Sequence, residues 1–167
     1  MSIVLLISDN DVKEFTSLNG NVDPDFIMPQ IMAAQDVEIE RLLGTKLINK
    51  LKSDVNLGIL SGEYETLVDK YVKPCLAWYT MAYLTPFQAY QISNQGLYKH
   101  QSESSITPDK SEVDYIREKS SITAQHYANR MIKYICANST DFPEYNQLEE
   151  GGKWSDKTNQ SFGGINF

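Results

Sequence analysis

Residues 63 to 93 read EYETLVDKYVKPCLAWYTMAYLTPFQAYQIS. Tyr64, Leu67, Val68, Tyr71, Val72, Cys75, Leu76 and Tyr79 recur at i, i+3, i+4 spacing, the period of a helix. From Trp78 onward the remaining faces fill as well, with Met81, Ala82, Tyr83, Leu84 and Phe87. A helix that is apolar all round is a buried one, because no face is left for water. The stretch therefore decides for an all-α fold with this helix at its centre. Leu60-Ser61-Gly62 opens the pattern, which runs to about Ser93. Pro74 and Pro86 are each expected to kink or break it.

Upstream, DPDFIMPQIMAAQDVEIERLLGTKL places Met28, Ile31, Met32, Ile39, Leu42 and Leu43 at helical spacing. Proline has no N–H to give beyond the first turn, so the helix is predicted to start near Pro29, with one uncertain turn before it. Gly44 ends it as a C-cap, and Thr45 caps the next short helix. Ser8-Asp9 offers an N-cap to another short helix, stopped by Asn19-Gly20-Asn21. Residues 3 to 7 form either an extended arm or the lead-in to that helix.

Downstream, NQGLYKHQSESSITPDK is polar with one glycine and reads as a long surface loop, functional or plainly disordered. Thr107-Pro108 then starts a strong helix, cap and first-position proline together. Val113, Ile116, Ala124, Tyr127, Ala128, Met131, Ile132 and Ile135 line its inner face, and Asn138 closes it. The expectation is a mostly antiparallel bundle of four to five helices with a long loop and an extended C-terminal tail. Residues 1–147 are the helical domain and residues 148–167 the extended arm.

The chain carries 22 acidic and 15 basic residues in 167, a formal net charge of −7. No run of Lys and Arg offers the counterion release that drives tight nucleic-acid binding. The N-terminal MSIVLLIS lacks a basic leader and is too short to span a bilayer. Cys75 and Cys136 sit in apolar helical stretches and read as small buried side chains. His100 and His126 have no metal-ligand spacing, and no phosphate-cradling loop or nucleophile motif occurs. Asp36 and Glu40 share a helix face, but Glu38 and Arg41 interleave with them as on a solvated face. Gln35 falls on an apolar line, where a buried amide needs partners; a bond joining two helices is expected. No catalytic residue, metal ligand or cofactor site emerges, so the chain does not read as an enzyme.

The tail, KWSDKTNQSFGGINF, is the least ordinary segment. It is either a disordered end or a strap that orders on a partner. Trp154, Phe162, Ile165 and Phe167 are large anchors, and Gly163-Gly164 lets the backbone lie close to another surface. As a docking arm, residues 152–167 should be dispensable for stability. Ten tyrosines, most of them on helices, suit either an aromatic core with hydroxyls at the surface or an interface.

FIMPQIMAAQDVEIERLLGTKL, the Tyr-rich helix, SNQGLYK, RMIKYICAN and DFPEY stand in an order and spacing over residues 8 to 147 that resembles head–tail connector proteins of tailed bacteriophages. The similarity is to those of Bacteroidetes phages and prophages, including the crAss-like group. The resemblance implies an adaptor or head-completion protein: a dodecameric ring beneath the portal that extends the DNA channel, joins capsid to tail and has no catalytic residues. Its partners would be other copies of the chain, the portal protein and the next neck or tail ring. DNA would pass through the lumen without tight binding, as the acidic balance favours. Leu97, Tyr98, Lys99 and His100 in the loop are the candidates for contact between subunits. Such a protein is assembled in the host cytoplasm and resides in the virion, without a membrane. The second reading is a small intracellular binding or regulatory module whose C-terminal peptide docks a partner.

Overall fold

A computed structural model describes residues 3–93, 96–99, 109–148 and 150–156. It is an all-α bundle. Five helices are found among the described residues: α1 (Asp9–Phe15), α2 (24–43), α3 (Thr45–Leu57), α4 (62–89) and α5 (Lys110–Ala137). Two of them contain a π turn. In α2, Gln35–Ile39 interrupts Pro24–Ala34 and Glu40–Leu43; in α4, Val68–Val72 separates Gly62–Leu67 from Lys73–Ala89.

Local chemistry sets the ends. Ser8 caps α1 in a reciprocal box: its Oγ accepts from Asp11 N–H at 3.2 Å, and Asp11 Oδ2 accepts from Ser8 N–H at 2.7 Å. Helix α2 starts earlier than Pro29. Asp23 is its cap, accepting from Asp25 N–H at 3.0 Å, and Pro24 takes the first position; Pro29 lies inside the helix. Asp109 caps α5, again with a reciprocal partner in Glu112; Thr107 and Pro108 lie outside the described residues. Asn138 closes α5, as its sequence position indicates. Gly44 ends α2 at φ 78° and ψ 154° and also precedes α3, so Thr45 is the first residue of α3 and not its cap.

Helix α4 is central, packing most against α5 and also against α2 and α1. Neither proline breaks it. The wide π turn stands just ahead of Pro74, where a proline ring would otherwise meet the carbonyl one turn back. Pro86 falls one turn from the end, and Ala89 is the last helical residue. The chain then turns extended. Tyr90–Ser93 (β1) pairs antiparallel with Gly96–Lys99 (β2), Tyr90 opposite Lys99 and Ser93 opposite Gly96. Tyr90–Ser93, expected to end the helix, and Gly96–Lys99 of the expected loop are thus two paired strands.

The core runs through Ile27, Ile31, Leu42, Leu47, Leu51, Leu76 and Ile135, all fully buried. Burying each such side chain contributes about 1.5–3 kcal/mol. Phe142, after α5, is also fully buried, with its ring edge-on to Tyr64 at 5.3 Å. Met28 and Met32 do not join this core: α2 presents Ile27, Ile31, Ala34 and Gln35 inward instead, about one residue out of phase with the expected line. Ile116 is exposed as well, and Val113 and Ser120 hold the inward places on either side of it. Tyr127 is half-buried.

Gln35 is buried as expected, but it joins a helix to the N-terminal segment rather than to another helix. Its Oε1 accepts from Leu6 N–H at 2.8 Å, and its Nε2 donates to the Val4 carbonyl at 3.1 Å. A side-chain amide here does what a neighbouring strand would do for an extended chain. Leu6 and Ile7 are buried beside it.

Candidate functional site

Several ionisable groups pair with one another. Lys52 pairs with Asp36 at 3.1 Å, Lys50 with Asp54 at 2.6 Å, and Glu38 with Arg41 at 3.0 Å. Glu40 accepts from Thr45 Oγ1 at 2.7 Å, so Asp36 and Glu40 do not converge on one ligand. No cluster of His, Cys, Asp and Glu able to hold a metal occurs among the described residues. His126 is exposed, and His100 lies outside the described residues. Cys75 is fully buried; burial pushes its thiol well above the ordinary range, and its Sγ leans on the Ala124 carbonyl at 3.7 Å. Such a thiol is inert. Cys136, expected inside, is exposed on the last turn of α5. No described helix is long and apolar enough to cross a membrane.

The arrangement that matters lies where α2 meets α3. Residues Lys153 to Asp156 cross this joint and are bonded to it on both sides. Thr45 N–H donates to the Lys153 carbonyl at 3.1 Å, and Lys153 N–H donates to Thr45 Oγ1 at 2.8 Å. Asp156 N–H donates to the Arg41 carbonyl at 2.8 Å, and the Asp156 carboxylate takes Arg41 Nη1 at 2.9 Å. Ser155 Oγ donates to the Tyr145 carbonyl at 3.0 Å. Gly44 makes room for this clasp. A Cβ there would meet Ser155 N at 2.9 Å and the Lys153 carbonyl at 3.2 Å, both backbone atoms that cannot swing aside.

Residues 153 to 156 of the arm expected over 148–167 are thus bonded to the helical body. Trp154, between them, keeps 59% of its surface in water. Phe162, Gly163, Gly164, Ile165 and Phe167 lie outside the described residues. Leu97, Tyr98 and Lys99 fall on β2 and not in an irregular loop. The structure thus does not bring the tail anchors and the loop candidates together in one described site.

Sequence reasoning missed Arg41, Gly44 and Asp156. Gly44 was legible as a helix stop, but its second role needs a segment more than 100 positions away. It also missed the apolar side chains that the folded body leaves in water. Met28 and Met32 lie four apart on one face of α2, and Tyr115 and Ile122 lie seven apart on one face of α5.

A family model described as "Family of unknown function (DUF6712)" matches residues 39–153, more than half of the chain and up to the first residue of the clasp. No curated protein and no solved structure matches the chain.

Proposed function

The chain belongs to the DUF6712 family, and for it we propose a structural role: subunit of a head–tail connector ring beneath the portal of a tailed bacteriophage. The single observation that carries this reading is a pair of exposed apolar patches on two different helices of a finished body. Met28 and Met32 on α2, and Tyr115 and Ile122 on α5, stay exposed although the core is closed without them. Two different patches on one subunit suit a head-to-tail contact, and head-to-tail contacts that close give rings. The acidic balance, −7 overall, suits a channel that phosphate slides through without being held. The resemblance in order and spacing over residues 8 to 147 supplies the identity of the ring: other copies of the chain, with the portal above and a further neck ring below.

Purifying the full chain with the portal of its own phage and imaging by negative-stain electron microscopy tests this. Rings of uniform symmetry, alone or seated on a portal, are the expected result. Met28→Lys and Ile122→Glu alter only exposed side chains, so each variant should keep its melting temperature and lose the ring. A lone subunit bound to one host protein would overturn the connector reading and favour a regulatory module that docks through its C-terminal peptide.

A further inference from the structure

The clasp sits at the first residues of α3. At the other end of that helix lies an open groove of about 340 Å3. Leu6, Val55, Leu60 and Val68 give it apolar walls. Its polar part is Asp69 and Lys73, already ion-paired at 2.7 Å, with Asp11 4.0 Å from the same ammonium. Gly58 lines it too, and the residues on either side, Leu57 and Ile59, are 64% and 58% exposed. Two adjoining aliphatic side chains in water beside an apolar groove mark a surface suited to a cover.

We propose that this groove is the seat of residues 162–167 of the same chain, filled by Phe162, Ile165 and Phe167. Three observations choose this occupant. The first is reach. Helix α3 has 13 residues, which at 1.5 Å each puts the groove roughly 20 Å from the clasp. Eleven residues follow Asp156, enough to span up to about 36 Å when extended. Ile165 and Phe167 reach with chain to spare, and Phe162 arrives with the backbone nearly straight. The second is charge. Residues 158–167 carry no ionisable side chain. A neutral segment suits a groove whose one cation is already neutralised by its own carboxylates. The third is tethering. The clasp fixes the start of the segment on the same helix, which sets an effective concentration on the order of millimolar. A second copy must exceed that to compete. Gly163-Gly164 lets the backbone settle against the groove between anchors.

Seated in this way, the apolar anchors are held out of water and away from other proteins until a partner offers a better site. This goes beyond the ring reading and holds or fails within one subunit, whatever assembly that subunit enters.

The test is paramagnetic broadening in the full chain. Cys136→Ser removes the exposed thiol, Cys75 is fully buried and does not react, and Ser161→Cys carries a nitroxide. The amide signals of Leu57, Ile59 and Leu60 are monitored. They are expected to lose most of their intensity when label and isotope are on one chain. They should keep it when isotope-labelled chains are mixed with separately spin-labelled ones. Leu57→Asp with Ile59→Asp changes only exposed side chains and should restore the intensity with the melting temperature retained. Full intensity in both samples overturns the proposal. Broadening confined to the mixed sample overturns it too, by making the occupant a neighbour's segment. Broadening that survives the double variant overturns it as non-specific contact.

Discussion

Tyrosine hydroxyls show how single residues tie this bundle together. Tyr64 donates to Glu144 at 2.7 Å, Tyr83 to Glu38 at 3.2 Å, and Tyr134 to Glu63. Each bond needs the phenol protonated. Burial is the first reason these protons are held, and the carboxylate acceptor adds to it. Tyr134 is pushed up to about 12, by burial and then by Glu63; Tyr145 is also pushed up to about 12, chiefly by burial. Both are acids whose folded value exceeds the ordinary 10. Their contribution is thus complete below pH 10 and is lost as pH rises from 10 through 12. The thermal midpoint by circular dichroism should be level on the near side of pH 10 and fall across that window, and Tyr134→Phe should make the fall shallower. A midpoint level to pH 12 would contradict this. The tyrosine surplus was plain in the sequence; its acceptors were not, since Glu63 and Tyr134 are 71 positions apart.

At the scale of elements, the joint between α2 and α3 depends on one glycine. Gly44 combines a left-handed φ of 78° with an extended ψ of 154°, a conformation close to glycine-only. Gly44→Ala would add that strain, of about 1–3 kcal/mol, to a clash with the backbone of Ser155. Denaturant unfolding should show the loss, and hydrogen exchange at residues 153–156 should quicken. Arg41→Ala removes only the side-chain tie to Asp156, so it should quicken exchange with a smaller loss of stability. Equal and unchanged exchange in both variants would mean that the clasp is not held by these contacts. Much of the element structure was legible: the central helix from its all-round apolarity, the Ser8 and Asn138 ends, the stop at Gly44. The π turns were not, because one extra residue in a turn leaves the apolar spacing locally intact and only rotates the residues beyond it. That rotation also puts Met28 and Met32 off the inward line that Ile39, Leu42 and Leu43 define. The hairpin at Tyr90 was missed because four apolar and polar residues after a long helix fit either period.

For the whole molecule, the clasp ties residues 153–156 of the expected arm to the helical body. Truncation after Asp156 should therefore change the melting temperature less than truncation after Gly152. The shorter chain loses two backbone hydrogen bonds, the bond from Lys153 N–H to Thr45 Oγ1, the Arg41–Asp156 pair and the Ser155 contact together. At about 1 kcal/mol net for each bond, and less for the half-exposed ion pair, the difference is on the order of 3–5 kcal/mol. Equal melting temperatures for the two truncations would return the clasp to the arm. The clasp was not legible in the sequence: where residues 153–156 are moored depends on Arg41 and Thr45, which the composition of the tail does not indicate.

The clasp also has a consequence in time. It joins Arg41 to Asp156, 115 positions apart, so it can close only after all five helices have been made. During synthesis the five helices can gather while the α2–α3 joint is still uncovered. A nascent chain therefore passes through a stage with a folded body and no fixed origin for its tail. Closing the clasp marks the end of that stage: a chain cut short by premature termination would keep its shape yet show an open joint.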